Sequence, residues 1–287
     1  MQRRHFLFLL STPGFVFGRK PLRERQIKLE GAQNFRDLGG YPTHSGQRIR
    51  YGRVFRSDSL AKLTPADFQK LSELRIRTVC DLRSAAERAA EKTSWPQGPQ
   101  APKIIHLDIL AANSNRSSED PTRAFLTRLL GRQAQPGAAS ELLAESMQTM
   151  ALTAAPLYGE LIRHILESRQ PLLFHCTAGK DRTGLAAALL MKVLDVTEEA
   201  IFEDYLLVNQ IVPVDKNAQA LADRIKAFTG QEIPVETLKP LLGTQREWLS
   251  AAFSAIEQKY GSFDRYRQQA MGLSNNEVKR LKKILLD

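Results

Sequence analysis

Residues 171–184 read Pro171-Leu172-Leu173-Phe174-His175-Cys176-Thr177-Ala178-Gly179-Lys180-Asp181-Arg182-Thr183-Gly184, and the fold turns on them. The first four are a short apolar run of the length that forms a buried strand. The alanine- and leucine-rich residues that follow predict a helix over 185–194. Between the two lie ten small and charged residues. A strand, a loop and a helix in that order turn successive backbone N–H groups inward and aim a helix N-terminus at the loop centre, which makes a site for a dianionic phosphate. Ala178 and Gly179 are small enough to let the backbone come close to such an anion.

The side chains in the loop add reactivity to this cradle. Cys176, at its start, meets converging dipoles that favour thiolate over thiol, so its sulfur is the candidate nucleophile. Arg182 carries a planar fork that can pair with two phosphoryl oxygens and follow them into a trigonal transition state. Thr183 is placed to give its hydroxyl to the sulfur as a leaving group, and His175 to hold the loop through backbone hydrogen bonds. Lys180 is expected to add positive charge at the rim. The phosphate-binding positions are therefore Thr177, Ala178, Gly179, Lys180, Asp181, Arg182 and Thr183, with His175 and Gly184 as loop support.

Outward from this stretch the pattern alternates. Apolar runs at 76–82 and 103–107 predict two more buried strands, and 50–57 a third. Thr64 before Pro65 opens a helix to about residue 74. Strands alternating with helices argue for an α/β domain with a mostly parallel central sheet flanked by helices and a helical C-terminal part. One domain is expected over 31–287, with a helical insertion at about 109–169 that borders the site and is broken by a loop at 133–137. Helices follow at 198–209, 215–228, 245–260 and 277–286, the last opened by the Ser274/Glu277 capping pattern. Trp248 and Phe253 are read as packing residues.

At 287 residues and 43% hydrophobic content the chain can bury a core without disulfides or metal. Its 41 basic against 31 acidic residues give a charge of +10, which draws anions: nucleic acid, acidic lipid head groups or phosphorylated substrates. With no block of like charge, no aromatic RNA-binding signature and no Cys/His zinc spacing, neither nucleic acid nor a metal is expected. Two cysteines do not make a disulfide framework, and Cys80 reads as a small buried thiol on a strand. Arg3 and Arg4 precede an apolar stretch at 6–17 and Gly18, a twin-arginine-type export pattern too short to span a bilayer. A signal over 1–18, a linker over 19–30 and a periplasmic or secreted protein are expected, the alternative being a cytoplasmic one.

Residues 175–184, HCTAGKDRTG, resemble the signature of the protein tyrosine phosphatase superfamily, and the Lys-Asp pair within them resembles its bacterial tyrosine/lipid branch. Residues 34–40 (NFRDLGG), 53–58 (RVFRSD), 81–84 (DLRS) and 204–209 (DYLLVN) match that branch in order. The resemblance implies a cysteine-dependent phosphomonoesterase without metal or cofactor, in which Cys176 attacks phosphorus and water hydrolyses the phosphocysteine. Its partners are phosphotyrosine proteins, and with them phosphoserine/threonine proteins or phosphoinositides. A general acid is needed, and two aspartates qualify. Asp81, at the C-terminal end of a predicted strand, is taken first, although it could equally cap a turn or pair with Arg83 or Arg36. Asp181, inside the cradle, is the other. Two further readings stand beside the enzyme: a phosphate-reading module without turnover, and a thiol redox protein. Arg36, Asp37 and Arg56 are expected to form buried ion pairs that hold the loop.

Overall fold

The computed structural model describes residues 25–98, 101–113, 127–128, 131, 137–230 and 232–287. The leader expected over 1–18, the first part of the linker, and all but the last residue of the loop at 133–137 lie outside them. Five strands form one sheet: β1 (Arg36–Asp37), β2 (Val54–Ser57), β3 (Thr78–Asp81), β4 (Lys103–His106) and β5 (Leu172–His175), in the order β1-β2-β5-β3-β4. Only β1 runs antiparallel to its neighbour, so the expected mostly parallel α/β sheet is what forms.

The strands read as continuous apolar runs because both faces are covered. Phe55, Val79 and Leu173 point to one face and meet Phe35, Leu60 and Leu71 beneath helix α1 (Pro65–Glu73). Val54, Cys80, Leu172 and Phe174, one residue out of phase, enter the larger core on the other face. That core is built on α4 (Ala155–Glu167) and α5 (Asp181–Val193), with Tyr158, Leu161 and Ile162 from the first and Leu185, Leu189 and Leu190 from the second. The helical segment expected as an insertion thus supplies, through α4, one wall of the central core.

The remaining helices are α2 (Ala85–Ala90), α3 (Ala138–Thr153), α6 (Glu198–Leu206), α7 (Val208–Ile211), α8 (Val214–Thr229), α9 (Val235–Leu242), α10 (Arg246–Tyr260), α11 (Phe263–Gln269) and α12 (Asn275–Leu285). The capping box of Ser274 and Glu277 opens α12 as its sequence predicts. Helices α9 and α11 are not legible in the sequence. α9 carries Pro240 in its interior, which reads as a breaker, and α11 is only seven residues long, too short to show a period.

Two boundaries move. α5 starts at Asp181, not near 185, because the chain reverses at Gly179 (φ 67°) and is already helical one residue after Lys180; Gly184 N–H donates to Lys180 O at 2.8 Å. The described half of the linker is tied down. Arg25 is buried and donates to Gly39 O (3.1 Å) and Glu203 (3.2 Å), and Gln26 bridges Arg36.

Candidate active site

The parallel strands end in register, with Ser57, His175, Asp81 and His106 in one row across the sheet. Cys176 follows β5 directly, and the loop between it and α5 is held from outside by its own carbonyls. Gly179 O accepts from Asn34 Nδ2 at 3.0 Å and Arg56 Nη2 at 2.7 Å, Ala178 O from Asn34 Nδ2 at 3.3 Å, and Thr177 O from Ser59 N at 2.9 Å. With the carbonyls drawn outward, the amides are left to face the centre. Gly179 N–H donates to Cys176 Sγ at 3.2 Å. Glycine is required here: at its positive φ a Cβ would lie 2.7 Å from Ser57 O and Asp58 N.

Arg56 is fixed in turn by Asp204. That carboxylate takes Arg36 Nε at 3.0 Å on one oxygen and Arg56 Nη1 on the other, with both guanidiniums fully buried. Burial works to raise the Asp204 carboxyl, but the charges of Arg36 and Arg56 hold it below its usual range. Arg36 and Arg56 therefore form the buried, loop-holding ion pairs expected of them. Asp37 ties turns, accepting from Gly39 N (2.8 Å) and Gly52 N (2.6 Å).

Arg182 is clamped by a residue that sequence reasoning missed. Its Nη1 and Nη2 donate to Glu87 Oε2 and Oε1 at 2.6 and 2.7 Å, and Thr177 Oγ1 donates to the same Oε1 at 2.6 Å. Glu87 also accepts Ser84 N–H, so it closes the capping box of α2 while it holds the arginine. Burial opposes the charge on Glu87, but hydrogen bonds and charge from Arg182, then Thr177 and Ser84, bring its carboxyl down to about 2. On Arg182 burial likewise works against the charge, and Cys176 followed by Glu87 outweighs it and lifts the guanidinium above its ordinary value. The available signal was Ser84-x-x-Glu87, a capping pattern placing that carboxylate in the first turn after a strand end.

Several expected roles move. Lys180 does not add charge at the rim: it is 3% exposed, and its Nζ donates to Gly243 O (3.0 Å), Pro240 O (3.4 Å) and Asp181 Oδ1 (3.2 Å). It lies 5.1 Å from the centre of the Trp248 ring, itself a packing residue as expected. A positive ϕ at Gly179 and the immediate start of α5 turn this side chain inward toward the α9–α10 junction.

Asp81 is not poised as an acid. Both its oxygens are engaged by Arg83, at 3.0 Å from Nε and 2.7 Å from Nη2, and it is 3% exposed. Burial pushes its carboxyl up, but the Arg83 hydrogen bonds, then His175, bring it below the usual range. His175 Nδ1 lies 3.1 Å from Cys176 O, the loop-supporting contact expected of it. Burial drives this imidazole down to about 4, so it is neutral near pH 7. Thr183 is buried in the first turn of α5 and its hydroxyl makes no hydrogen bond, to the sulfur or otherwise. Asp181, also in that turn, is partly exposed, at 24%, with Lys180 as its ion-pair partner. Gly184 lets α5 pack on Tyr205, whose ring a Cβ would meet at 2.8 Å. Among the described residues no group of His, Cys, Asp or Glu could hold a metal ion.

A family model described as the tyrosine phosphatase family matches residues 27–287. A Cupriavidus necator protein assigned to the tyrosine-protein phosphatases is 32% identical over 251 residues, 85% of this chain and 84% of that one. The triple specificity protein phosphatase PtpB of Mycobacterium tuberculosis is 30% identical over 282 residues, covering 90% and 98% of the two chains. A tyrosine-protein phosphatase of Nostoc commune is 26% identical over 233 residues, covering 79% and 72%.

Proposed function

The chain belongs to the tyrosine phosphatase family, and on that footing we propose that it hydrolyses phosphotyrosine proteins through a phosphocysteine intermediate on Cys176. The observation that carries this reading is the Gly179 N–H donated to Cys176 Sγ at 3.2 Å, beside an Arg182 that Glu87 holds in place. The sulfur attacks phosphorus, and the bond from phosphorus to the tyrosyl oxygen breaks. Loop amides and the first-turn N–H groups of α5, which have no intrahelical acceptor, take the charge on the phosphoryl oxygens. Arg182 has five N–H donors and spends two on Glu87, which leaves three for phosphoryl oxygens. Asp181 is the general acid: it lies within the cradle and is partly exposed, whereas Asp81 is buried with both oxygens bonded to Arg83. Asp181 gives its proton to the leaving oxygen, then takes one from the water that attacks the phosphocysteine and releases phosphate and thiolate.

The name of the Mycobacterium tuberculosis relative, a triple specificity phosphatase, supports a wider range on this chain as well, with phosphoserine/threonine proteins and phosphoinositides as further substrates. Two other readings lose ground. A binding module without turnover has no use for the Cys176 sulfur held at the cradle entrance, and a redox role leaves Arg182 without a purpose and needs a second reactive thiol, whereas burial pushes the Cys80 thiol up to about 12.

The test is phosphate release from phosphopeptides and phosphoinositides by the wild type and by Cys176→Ser, Asp181→Asn and Asp81→Asn. Cys176→Ser binds phosphate without turnover, and Asp181→Asn loses far more activity on poor leaving groups than on good ones. Turnover by the serine variant removes the nucleophile, and a leaving-group dependence confined to Asp81→Asn exchanges the acid.

A further inference from the structure

The parallel strands all start at one pole of the molecule and end at the cradle. The chain reaches β2 through Arg50 and Arg53, β3 through Arg75 and Arg77, β4 at Lys103 and β5 through Arg169. These starts are bonded side by side: Leu172 N donates to Arg53 O at 3.1 Å, Arg77 N to Pro171 O at 3.2 Å, and Lys103 N to Arg77 O at 2.8 Å. With neighbouring strands about 4.8 Å apart, six cations lie across one end of the sheet. Arg50, Arg75, Lys103 and Arg169 are exposed.

Helix α12 widens this pole. Its last turn is locked to the segment before β2, with Arg50 N donating to Leu285 O at 2.7 Å and Asp287 N to Arg48 O at 3.1 Å. It buries Leu281 and Leu285 and exposes Lys279, Arg280 and Lys283. None of these exposed cations forms an ion pair with a described carboxylate. Carboxylates are present as well: Glu73 and Glu167 lie two residues before Arg75 and Arg169, Glu160 and Lys103 both act on Cys80, and Asp287 Oδ1 already accepts Arg48 N–H. Tyr51, between Arg50 and Arg53, is 40% exposed, the one large apolar side chain among the described residues that is.

We propose that this pole docks the protein on an anionic lipid bilayer. The cations spread over four strand starts and a helix instead of lining a groove, as a flat charged surface requires, and the amphipathic ring of Tyr51 suits the headgroup region. The apolar stripe of α12 is used in the core, so attachment is peripheral and electrostatic. The orientation follows from the strands: Arg169 precedes β5 and Cys176 follows it, so a docked molecule turns its cradle away from the bilayer. Phosphoesters then reach it from the aqueous side.

The test floats the full chain with phosphatidylcholine vesicles, with and without phosphatidylserine, at about 0.1 M and about 0.5 M salt. Binding is expected only to the anionic vesicles and only at low salt. Lys103→Gln/Arg169→Gln weakens it about thirtyfold, the loss of two cations near an anionic surface, with aryl phosphate turnover unchanged as proof of folding. Lys279→Gln/Lys283→Gln gives the same reading from the helix if the first pair does not fold. No flotation with anionic vesicles, flotation that both variants leave intact, or tighter binding to a DNA duplex at the same salt each overturns the proposal.

Discussion

Glu87→Gln removes one charge beside the cradle while keeping the side chain's size and one acceptor oxygen. In the wild type that carboxylate accepts two hydrogen bonds from Arg182, at 2.6 and 2.7 Å, one from Thr177 Oγ1 at 2.6 Å and one from Ser84 N at 2.9 Å. Its carboxyl falls from 4.5 to about 2 against the effect of burial. At about 1.4 kcal/mol per pH unit, this is about 3 kcal/mol of preference for the charged form, shared among the four donors. The two side chains are 12% and 16% exposed, so solvent screening removes only a part of it. Because the folded value is depressed, the stabilisation is complete above 4.5 and disappears as pH falls through about 2. Glutamine offers the guanidinium one oxygen and sets an amide NH2 against it, so Arg182 shifts. A displacement of about 1 Å at a catalytic group costs about a hundredfold in rate. Activity on an aryl phosphate, inhibition by inorganic phosphate and denaturant unfolding are to be measured together. Stability is expected to fall by about 2 kcal/mol, as for a partly screened ion pair broken on one side. At a temperature where the variant is folded, kcat/KM falls about a hundredfold and phosphate inhibition weakens. A folded Glu87→Gln enzyme within about threefold of wild type on both counts would refute the clamp.

Three other outcomes follow from the same geometry. Gly179→Ala places a methyl group 2.7 Å from Ser57 O at a positive φ, so the loop must move; activity falls more than about tenfold while the fold, followed by circular dichroism, persists. Lys180→Met leaves the carbonyls of Pro240 and Gly243 without their donor and lowers stability by about 2 kcal/mol in denaturant unfolding, while kcat changes much less, the reverse of what a rim lysine binding phosphate would give. His175 is depressed from 6.5 to about 4 in the fold, so the unfolded chain binds its proton first: stability is complete above 6.5 and declines by about 3 kcal/mol as pH falls to about 4. His175→Gln flattens that part of the pH profile, and an unchanged slope would show that another group titrates there.

The order of strand, loop and helix at 171–184 was legible without coordinates, because apolar length, small residues and a following helical run are local properties of the chain. The parallel sheet followed from the same local signals repeated at β3 and β4, and the capped starts of α1 and α12 from Thr64-Pro65 and Ser274-x-x-Glu277. What lay outside reach was every decision made by a partner distant in sequence. Arg182 meets Glu87 ninety-five positions away, Arg56 meets Asp204 across 148, and Lys180 finds its carbonyls sixty or more residues on. A side chain's type states what it can bond to, and the spacing of its neighbours states little about which candidate will be there. Asp81 is the local exception: pairing with Arg83, two residues on, was already one of its legible alternatives, and the hydrogen bonds formed when the turn closes select it over the acid role. Local pattern determined the cradle and the cysteine at its entrance. Tertiary packing, by deciding which charges are desolvated together, decided which groups hold the loop and which remain free to act.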